Sequence, residues 1–326
     1  MAKKNSGRKP IRNKKEIFVP LADVPDLVWR VTRKLDSSNH FADMDQPAPK
    51  ENEEFGGKTL LELCSDSTYV DPAIWVRFYE ALGVKPKNQG ALPFRVWQIF
   101  DAMAAAVRGG DIARYVCAAG IIAHYVGDAC QPLHISHLHH GARDEEKGVH
   151  SAYETQMLNR FTLDLVQRVA RVPHQALPLV DSGRGAAVAT VALMRRTILR
   201  LPPQRIIDVY NSNSGRDRTV RMWEAFGRET VACVADGAQT LAMIWKSAWR
   251  AGNGDHVPKS KLVALSPDDL RKLYDDPKFL PAARLPEMIE SLHPTASPTD
   301  DGGAKIPILR PLVLKKKKQR STVARV

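Results

Sequence analysis

Two short stretches hold the side chains best suited to chemistry. The first is His124-Tyr-Val-Gly-Asp128-Ala-Cys-Gln131-Pro132-Leu-His134, and the second is Gly148-Val-His150-Ser-Ala-Tyr153-Glu154. On a helix, His124 and Asp128 lie four residues apart and share a face, as do His150 and Glu154. Two helices that each present an imidazole and a carboxylate can build a metal site in the core of a bundle. Gln131-Pro132 should end the first helix, which lets His134 turn back toward the site from a loop. Upstream, Asn39-His40-Phe41-Ala42-Asp43 and Asp23-Val-Pro-Asp26 add an imidazole and further carboxylates. A lone histidine on an apolar helix is more often a packed side chain than a ligand, so the clustering is the argument for metal. Imidazole and carboxylate together suit zinc.

Helical patterning supplies the elements that must position these groups. Segments 72–83, 93–108, 111–127, 148–171, 183–200, 204–210 and 217–250 carry apolar residues at intervals of three and four, without the alternation of strands. Breaks fall at Gly109-Gly110-Asp111, Pro132, Pro173, Pro202-Pro203 and Ser212-Asn213-Ser214-Gly215. The expected fold is therefore all-α, a multi-helix bundle with a metal cluster in its core and flexible basic tails. Trp97, Trp223, Trp245 and Trp249 fall on apolar helix faces and are expected in the core.

Charge is distributed unevenly. The 326 residues carry 48 Lys and Arg against 36 Asp and Glu, a net +12, with 44% hydrophobic residues. Residues 1–15 hold +7 and residues 305–326 hold +8, leaving the stretch between near −3. Residues 1–16 are thus expected as a disordered basic tail and 17–252 as the helical domain. Residues 253–326 are expected as a C-terminal extension, partly disordered and basic at its end. Such tails could touch anionic lipid or nucleic acid electrostatically without reading sequence. No run approaches the length of a membrane-spanning helix, and no apolar stretch follows the first charges as in a signal peptide. As written, the chain is expected in the cytoplasm; a start further upstream would make it secreted or periplasmic. Cys64, Cys117, Cys130 and Cys233 form no C-x-x-C pair and are expected as buried free thiols.

The pattern H-Y-x-G-D-x-x-Q-P-x-H, then G-x-H-S-x-Y-E, preceded by H-F-x-D, resembles the zinc-dependent phospholipase C and S-one/P-one nuclease superfamily. The resemblance runs from Asp26 to about Glu154, and more loosely over the helix from Arg221 to Trp249. It implies an all-α, zinc-dependent phosphodiesterase acting on phospholipid or nucleic acid, with a metal-activated water as nucleophile. Carried over by position, it implies one zinc held by Asp26, His40, His124 and Asp128, and a second held by His134, His150 and Glu154. Asp23 competes with Asp26, and Asp26 or Asp128 would orient the nucleophilic water and accept its proton.

In that family a third zinc takes an N-terminal tryptophan, a nearby histidine and the aspartate matching Asp128. Here no histidine precedes His40, and the first tryptophan is Trp29. Two zinc ions are therefore expected, with a missing upstream segment or a degenerate, non-catalytic member as alternatives. In the last case the helical protein would be stabilised by metal and would bind polyanions or membrane through its basic tails. His137, His139 and His140 could add a ligand, although exposed loop histidines are commoner. Tyr125 and Gln131 are expected to support the ligands, and Asp43 and Asp45 to stabilise turns.

Overall fold

The computed structural model describes residues 18–292. The basic segments expected at 1–16 and 305–326 lie outside the described residues. Every main element is helical, and no strand occurs among the described residues. The helices are α1 (Pro72–Ala81), α2 (Leu92–Arg108), α3 (Ile112–Ala129), α4 (149–160), α5 (Thr162–Val169), α6 (Gly183–Arg200), α7 (Pro203–Asn211), α8 (Arg218–Ala251), α9 (Pro267–Asp275) and α10 (Leu285–Leu292). None is long and apolar enough to cross a membrane.

Local chemistry explains where several of them start. Asp71 accepts hydrogen bonds from the N–H groups of Ala73 and Ile74, with Pro72 in the first turn. Asp111 caps α3 through Arg114 N–H after the turn at Gly110, whose φ of +69° favours glycine. Ser182 and Ser266 do the same for α6 and α9. The long α8 bends at Phe226, whose φ of −149° leaves the helical range.

Helices α2, α3, α6 and α8 pack against one another around Phe94, Phe100, Ile121, Ile122, Met194 and Ile244. A fully buried side chain of this kind stabilises the fold by roughly 1.5–3 kcal/mol, which outweighs the propensity of any single turn. A second cluster, including Leu133, Val149, Tyr153, Ile206, Met222 and Phe226, lies between α4, α7 and α8. Just past the end of α3 the chain touches both, with Cys130 and Ile135 in the first cluster and Leu133 in the second.

Two expectations from the sequence need adjustment. Beyond residue 252, α9, α10 and the stretch between them belong to the main core through Leu270, Tyr274, Phe279, Leu280, Leu285 and Met288. Of the four tryptophans expected inside, only Trp97 is buried, while Trp223 and Trp249 are half-buried and Trp245 is 37% exposed. Indole N–H groups need acceptors, and Trp223 and Trp245 find theirs at the margin, on Asp164 and the Ala119 carbonyl.

Candidate metal centre

The leader, the stretch of short turns from residue 18 to about residue 50 that precedes α1, builds the first group together with α3. A π-helical turn, Pro25–Trp29, carries Asp26, and a 3-10 turn, Asp36–His40, carries His40. The backbone of residues 42–44 is tied to the loop after α3, since Ala42 N–H donates to the His134 carbonyl and Met44 N–H to that of Ile135. On the other side, Gly90 lies so close that a Cβ there would fall 2.6 Å from the Phe41 carbonyl oxygen. Thus braced, ligand atoms of Asp26, His40 and His124 lie within 4.8 Å of one another.

The second group comes from the loop after α3 and from α4. Glu154 sits in a second π-helical stretch, Ala152–Met157, so both π turns carry a candidate ligand. Ligand atoms of His134, His150 and Glu154 again lie within 4.8 Å of one another. Glu154 Oε2 is 2.6 Å from His150 Nε2 and 3.4 Å from His134 Nε2.

Asp128 lies between the groups. Its Oδ2 is 3.1 Å from His40 Nδ1 and 3.4 Å from His124 Nε2, and its Oδ1 is 3.5 Å from His134 Nδ1. The i,i+4 pairs and the returning loop histidine thus meet in one place, and Asp128, beside the first group's inward nitrogens, also touches the back of His134.

Each imidazole is turned to offer a lone pair inward. A carbonyl can only accept, so a ring nitrogen bonded to one carries the proton. His124 Nδ1 is 2.8 Å from the Ala22 carbonyl, His134 Nδ1 is 2.9 Å from that of His40, and His150 Nδ1 is 3.0 Å from that of His139. Each therefore presents Nε2. His40 is the reverse, with Nε2 donating to Asp36 Oδ2 at 2.9 Å and Nδ1 facing inward. As a result His40 Nδ1 and His124 Nε2 face each other at 3.0 Å beside two carboxylates. Lone pairs so arranged repel unless a cation or a proton lies among them. The donor set fits a divalent metal of borderline hardness in each group, with the outward nitrogens anchored as metal ligands require.

Without metal, protons take that role. Burial pulls the His40 pKa down, yet Asp128 and Asp36 overcome it and raise it to about 9. His134 also rises to about 9, because Asp128, Glu154 and the His40 carbonyl outweigh burial. Burial pushes the Asp128 and Glu154 carboxyls up, but the neighbouring imidazoles hold both below the usual range.

Other candidates fall outside the two groups. Asp23 lines the cavity but contributes no ligand atom, so it does not displace Asp26. His137 Nδ1 binds Asp45 at 2.8 Å, and Ser136 Oγ donates to the same carboxylate at 2.6 Å. His139 and His140 line the cavity without joining a group. Cys130 is buried, which pushes its thiol up to about 12. Gln131 takes the supporting role expected of it, its side-chain oxygen accepting from the N–H groups of Leu133 and His134.

The residue that sequence reasoning missed is Asp36. It is wholly buried and accepts from His40 Nε2 and from Tyr125 Oη at 2.9 Å. Its signal was the same i,i+4 spacing before His40 that picked out the other pairs.

All seven expected ligands line one cavity of about 1280 Å³, together with Leu27, Val28, Val31, Leu158 and Val234. No family model and no solved structure matches this chain. It is similar to a probable serine protease of Bradyrhizobium tropiciagri, at 35% identity over 339 aligned residues. The match covers 84% of this chain and 42% of that protein, so the chain spans less than half of its relative's length.

Proposed function

We propose that this chain is a zinc-dependent hydrolase of phosphate esters, akin to the phospholipase C and S-one/P-one nuclease superfamily. The observation that supports it most is the pair of ligand groups in one roomy cavity, with the Asp128 carboxylate packed against histidines of both. A pair of cations about a common carboxylate suits displacement at phosphorus, where entering and leaving oxygens both carry charge. Zinc bound there would supply Lewis acidity toward the phosphoryl oxygens and a water whose pKa falls toward about 7.

The chain's own residues divide the remaining work. Asp128, buried among three imidazoles, holds the two groups in register. Asp26 has 42% of its side chain exposed and opens on the cavity, which makes it the better acceptor for a proton leaving the nucleophile. Arg30 Nη1 donates to Asp26 Oδ1 at 3.1 Å and keeps that carboxylate turned toward the first group. Phospholipid and nucleic acid are both carried as substrates by the resemblance.

The relative's printed name supports a second reading, serine proteolysis. Ser136 and His137 both contact Asp45, so a serine, a histidine and an aspartate do meet there. However, Ser136 donates to the aspartate, whereas a nucleophilic serine gives its proton to the imidazole. Hydrolysis of bis(4-nitrophenyl) phosphate separates the readings. We expect turnover that a chelator abolishes and zinc restores. No phosphodiester turnover, together with chelator-insensitive peptidase activity blocked by a fluorophosphonate, would replace this reading with the second.

A further inference from the structure

His40 differs from the other imidazoles in what holds it. His124, His134 and His150 lean on backbone carbonyls, whereas His40 leans on Asp36, and Asp36 belongs to a buried chain of groups that leads away from the cavity. Tyr125 Oη donates to Asp36 Oδ1 at 2.9 Å. The Arg95 guanidinium, wholly buried, has Nη2 3.9 Å from the same oxygen and lies 5.2 Å from the centre of the Tyr125 ring.

The far side of Arg95 grips the segment between α9 and α10. Its Nη1 and Nη2 donate to the carbonyls of Pro281 and Leu280, both at 2.9 Å. Arg33 stacks on Trp29 at 3.8 Å and donates to the carbonyls of Tyr274, Asp276, Phe279 and Leu280. Trp29 Nε1 and Asn39 Nδ2 donate to those of Tyr274 and Ala283, each at 2.8 Å. An irregular segment has no ladder to satisfy its carbonyls, and two guanidinium forks supply the donors.

The electrostatics point the same way. A guanidinium held in the interior needs a counter-charge, and an ionised Asp36 beside it meets that need. An ionised Asp36 can only accept, which obliges His40 to donate through Nε2 and to offer Nδ1 to the first group. Ligand orientation by such an outer carboxylate is a strong lever on metal affinity.

We propose that Asp36, Tyr125 and Arg95 are positioning residues for the first metal site, and that they transmit the seating of residues 274–283 to the ring of His40. This rests on the metal reading above. None of the three is catalytic in the sense of touching substrate; they act through His40.

The test is zinc titration of the full chain against a competing chelator, with the two sites resolved, in the unmodified protein and in Asp36→Asn, Tyr125→Phe and Arg95→Lys. Asp36→Asn should weaken the first site by about 10–100-fold and leave the second within about twofold. Tyr125→Phe should act in the same direction but less. Arg95→Lys, which keeps the charge but not the fork, should cost about tenfold at the first site. Imidazole 15N shifts of the zinc-free chain above pH 9, where His40 is neutral, should show its proton on Nε2 in the unmodified protein and a weaker preference in Asp36→Asn. Should Arg95→Lys fail to fold, the two near-isosteric variants still decide the matter. Equal weakening of both sites, or an unchanged first site in Asp36→Asn, would overturn the inference. A chain that takes up no zinc would overturn it together with the metal reading. Selective loss at the first site supports it whatever the phosphodiesterase activity.

Discussion

The two ligand groups line one cavity and both pack against Asp128, but they are built on different principles. The first joins the leader to α3 across nearly a hundred residues, and its central imidazole, His40, is 3% exposed with a buried carboxylate behind it. The second joins α4 to the loop just before it, keeps all three ligands half-buried, and anchors its imidazoles on backbone carbonyls. A carboxylate behind an imidazole makes a more basic ligand than a carbonyl does. The first group should therefore hold its ion more tightly and be more deeply wired into the fold, and the second should exchange more readily.

Ligand removal should reveal this contrast most strongly. Both His40→Ala and His150→Ala should abolish phosphodiesterase activity, but their effects on the metal-free fold should differ. Loss of His40 leaves Asp36 with Tyr125 and Arg95 but strips its other buried oxygen of a donor, at a cost of about 1–3 kcal/mol. Loss of His150 frees a half-exposed Glu154 and should cost about 1 kcal/mol or less. Urea unfolding in the presence of chelator measures both, and equal losses would remove the distinction.

Titration gives the next effect. His40 and His134 gain affinity for protons on folding, from the ordinary 6.5 to about 9. The metal-free chain thus has the full benefit of their charge below about pH 6.5 and loses it as the pH rises toward 9. Metal uptake runs the other way, since a proton must leave before an ion can enter. Affinity should climb over that interval by up to about tenfold per pH unit for each proton displaced. Melting temperatures with and without zinc, taken between pH 6 and 9, should diverge as pH rises; parallel curves would mean that these imidazoles do not bind the ion.

Smaller changes should separate the sites further. Glu146 is 3% exposed and accepts from the N–H groups of Ala142 and Arg143, the Arg143 guanidinium and Asn211 Nδ2. It thereby fixes the loop whose His139 carbonyl orients His150. Glu146→Gln should weaken the second site by roughly tenfold and spare the first, as zinc titration would show. The smallest effect is expected from deleting residues 305–326. This should weaken binding to anionic vesicles or nucleic acid and flatten its salt dependence, with turnover of a soluble phosphodiester nearly unchanged.

Much of this was legible in the sequence for physical reasons. The spacings His124 to Asp128 and His150 to Glu154 declare a shared helical face whatever lies around them. Capping residues such as Asp71 and Asp111 mark helix starts because the orphan N–H groups need acceptors. Residues 274–283 were opaque because they have no period; their carbonyls are satisfied by Arg33 and Arg95, more than 180 residues away. Asp36 showed its spacing to His40 but not its role, which depends on Tyr125 and Arg95 arriving from other helices. The contact of Asp128 with His134 could not be read either, because it depends on how the loop to His134 turns.

The proposed chemistry needs two ions, one on each side of Asp128. The direct measurement is anomalous diffraction at the zinc edge from crystals of protein purified without added metal. We predict two peaks, one among Asp26, His40 and His124 and one among His134, His150 and Glu154, with Asp128 between them. A map with no peak, or with a single peak away from these side chains, would contradict the account.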